Sequence, residues 1–233
     1  MTFFQENSDF DMARAFFSGH NYQINLNDGQ DGTEHYQQIF AFLRQSRIHH
    51  VLSHAPVICE PYLMEFWANA RHIKRAGGEI IQTRVANQDI EFTAEDLRVI
   101  LNLGTVAHEG GAGGLTMFDR SIISGGLRRM GFSGDMTKSA LFKKRFFGRW
   151  RYLAHVLLVG LSNKKTGWDT LNQEARAQMV AIVYNKPYSF SKVFFNEFIK
   201  QISARGTTRF LMYPRFVMMI INARLPNCLS LSL

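Results

Sequence analysis

The stretch that decides the fold runs from Leu141 to Leu225 and has three parts: LFKKRFFGRWRYLAHVLLVGL (141–161), NKKTGWDTLNQEARAQMVAIVYNKPYSFSKVFFNEFIKQIS (163–203) and TRFLMYPRFVMMIINARL (208–225). Apolar residues recur in these parts at three- and four-residue spacing, which is the period of an amphipathic helix. The pattern predicts helices over about 149–161, 169–184, 189–204 and 214–223. Four such helices in a row can bury their apolar faces against one another, so the stretch predicts a helical core.

Capping and helix-breaking residues support these boundaries. Asp169 or Thr170 is a plausible N-cap for the second helix, because a side-chain oxygen there can accept a free backbone N–H of the first turn. Pro214 suits the first turn of the last helix, and Pro226 forbids its continuation.

The part of the chain before Leu141 is less regular. Helices are predicted over about 34–45 and 61–75, and a β-hairpin over about 80–92 has its turn at 87–89. Thr93 and Asp96 have the spacing of a capping box. A further helix, over about 117–130, is weakened by Gly125 and Gly126.

The predicted fold class is therefore mainly α, a multi-helix globular domain with one small β-hairpin. The predicted segments are a flexible polar arm (1–32), an acidic helical subregion with the hairpin (33–103), a Gly-rich loop (104–116), a basic helical subregion (117–225) and a tail (226–233). A chain of 233 residues is long enough to bury a sizeable core without staples.

Charge is divided unevenly along the chain. Residues 1–118 hold 8 Lys and Arg against 14 Asp and Glu, whereas residues 119–233 hold 19 against 5. Such a chain favours a polyanion at its basic end, or head-to-tail contact with copies of itself. The expected partners are RNA or single-stranded DNA, with self-association as the alternative.

Known catalytic and cofactor patterns are absent. His49, His50 and His54 lack metalloprotease spacing, and the glycines at 110–114 lack the Lys and Ser or Thr that complete a phosphate loop. There is no nucleophile elbow and no cluster of acids that would hold two metal ions. We expect no catalytic residue, no metal, no cofactor and no small-molecule substrate.

Cysteine usage and hydropathy bear on location. Cys59 and Cys228 follow no metal or redox spacing, which favours a reducing compartment. No apolar run reaches the length of about 18 residues that a membrane span needs, and the N-terminus does not resemble a signal peptide. These features predict an intracellular protein, cytoplasmic or nuclear and not secreted, with no membrane partner.

One stretch indicates binding. Between Phe142 and Tyr152, cations alternate with rings, so charges for phosphates and rings for bases occur together. The candidate nucleic-acid-binding residues are Lys143, Lys144, Arg145, Arg149, Arg151, Lys164 and Lys165. The alternative is a core stripe of Phe142, Phe146, Trp150 and Leu153 with a solvated basic face, which we weigh more heavily since apolar stripes usually mean burial.

Several motifs resemble the gag-like N-terminal region encoded by plant LTR retrotransposons, the putative plant transposon protein family. They are Glu65-Phe66-Trp67, IEFTAEDLR (90–98), Lys165-Thr166-Gly167-Trp168-Asp169 and Met212-Tyr213-Pro214-Arg215-Phe216. The resemblance covers about residues 33–225 and implies a non-enzymatic, element-encoded protein that assembles or contacts element RNA. It also implies structural anchors at Phe66, Trp67, Trp150, Trp168, Tyr213, Pro214 and Phe216.

The chain departs from a complete retrotransposon polyprotein. It carries no zinc knuckle, no Asp-Ser/Thr-Gly protease triplet and no polymerase or integrase signature. Two hypotheses follow. The first is a gag-like module that binds nucleic acid nonspecifically through its basic half. The second is a helical protein-interaction domain, or a degenerate element fragment, that binds no nucleic acid.

Overall fold

The computed structural model describes residues 20–26, 36–111, 114–164, 166–204 and 211–226, together with the backbone of 15–17 and 209–210. Most of the predicted polar arm and all of the tail except Pro226 lie outside these residues. So do Thr33, the expected N-cap of the helix predicted over 34–45, and Arg205-Gly206, the expected end of the helix predicted over 189–204. The chain is mainly α, as predicted: it is about 52% helical and has ten helices in the described part.

The described part of the chain contains ten α-helices and seven short strands. The helices are α1 (Gln37–Gln45), α2 (His49–Ser53), α3 (Glu60–Asn69), α4 (Ala94–Ile100), α5 (Val106–Glu109), α6 (Arg120–Arg129), α7 (Gly148–Gly160), α8 (Gln173–Val183), α9 (Phe190–Ser203) and α10 (Pro214–Arg224). The strands are β1 (Ala15–Phe17), β2 (Arg71–Arg75), β3 (Gly78–Val85), β4 (Gln88–Phe92), β5 (Leu141–Phe142), β6 (Thr170–Leu171) and β7 (Arg209–Leu211).

The predicted helix over 61–75 is wrong in its last third. α3 ends at Asn69, and residues 71–75 form β2, which pairs antiparallel with β3 from Arg71↔Gln82 to Arg75↔Gly78. Ala76 and Gly77 form the turn between these two strands. Gly78, the first residue of β3, has a φ of 128° that favours glycine. The described sheet therefore has three strands, in the order β2-β3-β4, where a single hairpin was predicted.

The second turn of this sheet lies one residue earlier than predicted. Ala86 and Asn87 have φ values of 50° and 62°, the left-handed pair that a two-residue hairpin turn requires. Gln88 already pairs with Val85 in the ladder. The Glu65 carboxylate accepts the Ala86 backbone N–H at 2.7 Å, which helps to hold Ala86 in its unusual conformation.

Helix ends agree with the sequence where the cap is local. The capping box of Thr93 and Asp96 is confirmed, and Pro214 begins α10 as predicted. The N-cap of α8 is instead Asn172, whose side chain accepts the Ala175 N–H at 2.9 Å. Thr170 pairs in β6 and is not free to cap.

The described chain divides into two compact units that are not continuous in sequence. Unit one comprises Met1–Asn21, Ala55–Leu101 and Ser191–Leu233, and unit two comprises Tyr22–His54 and Asn102–Phe190. The acidic 33–103 and basic 117–225 subregions are each shared between both units. By sequence, unit one holds 12 Lys and Arg against 11 Asp and Glu, and unit two holds 15 against 8. The excess positive charge therefore belongs mainly to unit two.

Aromatic rings fill the core of unit one. Trp67 stacks on Phe198 with ring centroids 5.4 Å apart, and Phe66 lies edge-on to Trp67 at the same distance. Tyr213 stacks on Phe216 at 5.0 Å. All five rings are buried, and each contributes about 1.5–3 kcal/mol or more to the stability of this unit.

A buried polar contact fixes the start of α10 within the same unit. The Asn21 side-chain oxygen accepts the backbone N–H groups of Arg215 (3.1 Å) and Phe216 (3.3 Å), which have no acceptor inside the helix. The buried Arg215 guanidinium donates to the Asn21 carbonyl at 2.8 Å. Burial lowers the pKa of Arg215 to about 10.

Unit two has a second buried cap. Residues 104–116, predicted as a Gly-rich loop, contain α5, and its last residue, Glu109, is buried. The Glu109 carboxylate accepts the Ser189 hydroxyl at 2.9 Å and the Phe190 N–H at 3.2 Å. Gly114 lies so close to Glu109 that an added Cβ would be 2.1 Å from the Glu109 carbonyl oxygen. A glycine is needed there for close backbone approach.

Substituting alanine for each of the two adjacent glycines of α6 should have opposite effects on stability. Among the described residues, a Cβ at Gly125 meets nothing within 4 Å, whereas a Cβ at Gly126 would lie 2.8 Å from Val180 of α8. Gly125→Ala should therefore stabilise the protein by about 0.5–1 kcal/mol through helix propensity. Gly126→Ala should destabilise it by about 1–3 kcal/mol through overpacking. Urea unfolding of both variants measures the difference, and equal effects would contradict this packing.

Candidate nucleic-acid interface

The backbone from Leu141 to Gly148 changes conformation three times. Leu141 and Phe142 form β5, which pairs antiparallel with Leu171 and Thr170 of β6. Residues 143–145 make one turn of 3-10 helix, and Phe146 and Phe147 are extended. α7 begins only at Gly148. The helical spacing that would place Phe142, Phe146, Trp150 and Leu153 on one stripe is therefore not realised.

This backbone sends neighbouring rings in opposite directions. Phe146 is 2% exposed and packs on Phe132 with ring centroids 4.8 Å apart. Phe142 is 47% exposed and Phe147 is 79% exposed. Alternation of this kind is what an extended backbone produces. Two phenylalanine rings consequently face water next to the densest group of cations in the sequence.

Four of the predicted cations surround these rings. Lys144, Arg145, Arg149 and Arg151 are all exposed. Lys144 Nζ lies 5.6 Å from the centre of the Phe142 ring, and the Arg149 guanidinium lies 4.9 Å from the centre of the Trp150 ring. We call the group Phe142, Lys144, Arg145, Phe147, Arg149 and Arg151 the basic aromatic surface.

The hydrogen bonds that two of these cations, Arg149 and Arg151, make with the protein are weak. Arg151 donates to the carbonyl oxygens of Lys144 and Phe146 at 3.4 Å, and Arg149 donates to the Gln38 side chain at 3.5 Å. Distances of this length are at the limit of a hydrogen bond. Both guanidinium groups can therefore turn towards a phosphate at small cost.

Lys143 is placed differently from its neighbours. Its side chain is 18% exposed, and its Nζ lies 3.1 Å from His155 Nδ1 and 3.5 Å from the Asp169 carboxylate. Burial lowers the pKa of His155, and the nearby Lys143 charge lowers it further while Asp169 raises it. A neutral His155 can accept a hydrogen bond from the Lys143 ammonium group, so Lys143 joins α7 to the 169–171 segment.

Lys164 and Lys165 also differ from the exposed group. Lys164 Nζ donates to the carbonyl oxygens of Gly167 (3.1 Å) and Thr170 (2.6 Å), and burial lowers its pKa. This ammonium group closes the 164–170 turn and is occupied by protein atoms. Lys165 lies outside the described residues.

The residues implied as structural anchors fall into two groups. Those that are buried are Phe66, Trp67, Tyr213 and Phe216. Pro214 occupies the first turn of α10, and Tyr213 before it has a left-handed backbone with a φ of 52°. Trp150 and Trp168 are only half-buried. Trp168 donates from its indole N–H to the Lys164 carbonyl at 3.2 Å and lies edge-on to Tyr22.

Sequence reasoning missed three exposed cations in this region: Arg128, Arg129 and Lys138. A Cβ on Gly131, just beyond α6, would lie 3.5 Å from the Phe147 ring, so the end of α6 is next to that ring. Residues 117–151 hold nine Lys and Arg against two Asp and Glu. That local excess is visible in the sequence, but the sequence does not show that the end of α6 lies beside Phe147.

Other kinds of site find little support in the described part of the chain. Within it, no three His, Cys, Asp or Glu side chains come together as a potential metal site. None of its helices is long and apolar enough to cross a membrane.

Comparisons with family models, curated proteins and solved structures returned no match to this chain. The gag-like resemblance therefore stays a prediction, and the geometry of the basic aromatic surface carries the functional argument.

The two neighbouring phenylalanines give a stability test of this geometry. Phe146→Ala should cost about 3–5 kcal/mol, because it empties a buried ring site against Phe132. Phe147→Ala should change the free energy of unfolding by less than about 0.5 kcal/mol, since its ring is already in water. Guanidinium unfolding compares the two variants with the parent protein. Similar losses for both would mean that Phe147 is buried in solution.

Proposed function

We propose that this protein binds single-stranded nucleic acid, RNA or DNA, without sequence preference through the basic aromatic surface. The observation that carries the proposal is the position of Phe147, 79% exposed in a segment where Lys144, Arg145, Arg149 and Arg151 are also exposed. Rings that stack on bases and cations that contact phosphates are the two components of nonspecific single-strand binding.

The composition of the surface supports a lack of base preference. Asn and Gln read the edge of adenine, and Asp and Glu read that of cytosine; the six residues of the basic aromatic surface include none of these. Its Lys and Arg side chains can pair with guanine, but they are also the side chains that contact phosphates of any sequence. Cations on phosphates and rings on bases act on every sequence alike.

The start of α7 adds to the positive potential. Its first turn contains no acidic side chain, and none of the side chains that the structure describes caps it. The free N–H groups of a helix N-terminus carry a partial positive charge that favours a phosphate. Arg149 and Arg151 lie in this first turn, so their charges and the helix dipole act together.

We propose further that the protein is a non-enzymatic gag-like module of a retrotransposon-derived element, acting inside the cell. The support is the resemblance of Lys165-Thr166-Gly167-Trp168-Asp169 and Met212-Tyr213-Pro214-Arg215-Phe216 to that family. Such a module would hold element RNA while other domains supply enzymes.

Self-association through opposite charges has less support. That hypothesis relied on an acidic first half meeting a basic second half. Folding places acidic 55–101 and basic 191–233 in the same unit, whose Lys and Arg outnumber its Asp and Glu by one. Neither unit is acidic as a whole, so a head-to-tail contact would lack its negative partner.

A salt series tests the proposed function. Binding of a labelled 20-nucleotide polyuridine should weaken steeply between 50 and 200 mM NaCl, because each phosphate contact releases counterions. Lys144→Gln/Arg145→Gln should reduce the slope of log K against log salt by about 1.4, at about 0.7 for each lost contact to a single strand.

The matched control is Lys74→Gln/Arg75→Gln. It removes an identical, exposed Lys-Arg pair from β2, where Glu79 and Glu91 lie within 3.5 Å. We expect its salt slope to equal that of the parent protein. Polyuridine binding that does not change with salt concentration, or an equal decrease of the salt slope in both variants, would refute a localised nucleic-acid surface.

Stacking has a separate test. Phe147→Ala should weaken polyuridine binding by about 1–3 kcal/mol, the usual value of one base–ring stack, without changing the salt slope. Phe147→Tyr should restore affinity and Phe147→Leu should not, because only tyrosine keeps a flat π-face. Fluorescence anisotropy at 50 mM salt measures all three, and full affinity in the leucine variant would argue against stacking.

A further inference from the structure

A cavity of about 330 Å³ opens beside the basic aromatic surface. It lies between β5 with its 3-10 turn and the segment that follows α6. Its lining residues are Phe132, Ser133, Gly134, Asp135, Lys138, Ala140, Leu141, Phe142, Lys144 and Arg145. A volume of this size lies at the lower end of the range of small-molecule sites.

Hydrogen bonds hold one side of this cavity. The backbone N–H and the hydroxyl of Ser133 donate to the Arg145 carbonyl at 3.1 and 3.2 Å, which ties the two facing segments together. A Cβ at Gly134 would lie 2.7 Å from the Phe132 ring, so this turn passes close over the ring. The wall that carries Arg145 is thereby fixed before any ligand arrives.

The opposite side is held by a buried arginine. The Arg176 guanidinium of α8 donates to the carbonyl oxygens of Lys138 (3.2 Å) and Ser139, and also to that of Leu171. Burial lowers the pKa of Arg176. These bonds fix the backbone that carries Lys138.

Charge in the cavity favours an anion. Three cations, Lys138, Lys144 and Arg145, line it with one carboxylate, Asp135. The Thr137 hydroxyl and backbone N–H donate to Asp135 at 2.7 and 2.9 Å, and these bonds lower the pKa of Asp135. The carboxylate is thus already engaged by a turn, while three cations line the space.

We propose that this cavity is a nucleotide site that takes one phosphorylated nucleoside, with its phosphate on Lys138, Lys144 and Arg145 and its base against Phe142. The proposal rests on the proposed function, because it assigns one bound nucleotide of the strand to a defined place. A free mononucleotide and the 5′-phosphorylated end of a strand share this chemistry. Phe142 provides the exposed ring, and the neighbouring cations provide charge-assisted hydrogen bonds.

A neighbouring cavity of about 370 Å³ shares Lys138 and Leu141 with this one but is also lined by Arg120, Met117 and Ile123. Of these two cavities, the first is lined by Lys144 and not by Arg120, and the second is lined by Arg120 and not by Lys144. Lys144→Gln and Arg120→Gln therefore form a matched pair that tells the two cavities apart.

In the first experiment the full chain is titrated with adenosine 5′-monophosphate at 50 mM salt, and binding is measured by isothermal titration calorimetry. We expect saturable binding of one nucleotide per chain, with adenosine and inorganic phosphate each binding more weakly. Lys144→Gln should weaken binding of the mononucleotide about tenfold, which corresponds to the loss of one charge-assisted hydrogen bond. Phe142→Ala should also weaken it, and Arg120→Gln should leave it unchanged.

A second variant separates this site from the wider surface. Arg149→Gln/Arg151→Gln removes two cations outside the cavity. It should therefore weaken polyuridine binding and leave the affinity for the mononucleotide unchanged. Competition between the mononucleotide and oligonucleotides with or without a 5′-phosphate identifies the source of the ligand. Stronger competition by the phosphorylated strand would assign the cavity to strand ends, and equal weak competition by both would assign it to free nucleotides.

The outcomes for the two proposals differ. Salt-dependent polyuridine binding without mononucleotide binding would overturn the nucleotide site and leave the proposed function standing. Mononucleotide binding that Arg120→Gln abolishes and Lys144→Gln spares would also overturn it. Mononucleotide binding without polyuridine binding would support the site and overturn the proposed function.

Discussion

Leu141 and Phe142 pair with Leu171 and Thr170 in a two-residue antiparallel ladder, and the Lys143 N–H donates to the Asp169 carbonyl at 2.7 Å. This pairing holds the backbone extended where the sequence alone favours helix. Since side chains alternate on an extended backbone, Leu141 is buried and Phe142 faces water. The same alternation occurs at Phe146 and Phe147, which are also extended: Phe146 is buried and Phe147 faces water. The basic aromatic surface depends on this ladder.

Buried polar groups from distant parts of the chain complete the ends of two helices. Asn21 accepts the first N–H groups of α10, and Glu109 accepts the first N–H of α9. Glu109 and Phe190 are 81 positions apart, and Asn21 and Arg215 are 194 positions apart. Neither cap can be recognised from local sequence, because the residue that would normally cap is adjacent to the helix start. These contacts also explain why Glu109 lies inside the protein, in a region that reads as a loop.

The arrangement of charge shows how folding changes the meaning of a sequence pattern. The acidic first half and basic second half suggested a bipolar molecule. Folding distributes 55–101 and 191–233 to one unit and gathers the cations of 117–151 in the other. The same net charge then becomes a concentrated basic region instead of two opposed ends. A concentrated region raises the local potential that attracts a polyanion.

The sequence by itself determined the features that depend on neighbours within one turn. It located α7, α8 and α10 to within a few residues, the Thr93 capping box, and the stretch where cations and rings alternate. It did not locate β2 or β5, because each is stabilised by pairing with another strand, β3 or β6, and local sequence does not reveal that pairing.

Within the candidate site, the sequence named Lys144, Arg145, Arg149 and Arg151, which are exposed, alongside Lys143 and Lys164, which bond to protein atoms. Only tertiary structure separated these groups, and only tertiary structure brought Lys138 beside Lys144 and Gly131 beside Phe147. The physical reason is that periodicity fixes the direction of a side chain within its own element, whereas exposure and charge clustering depend on which elements pack together.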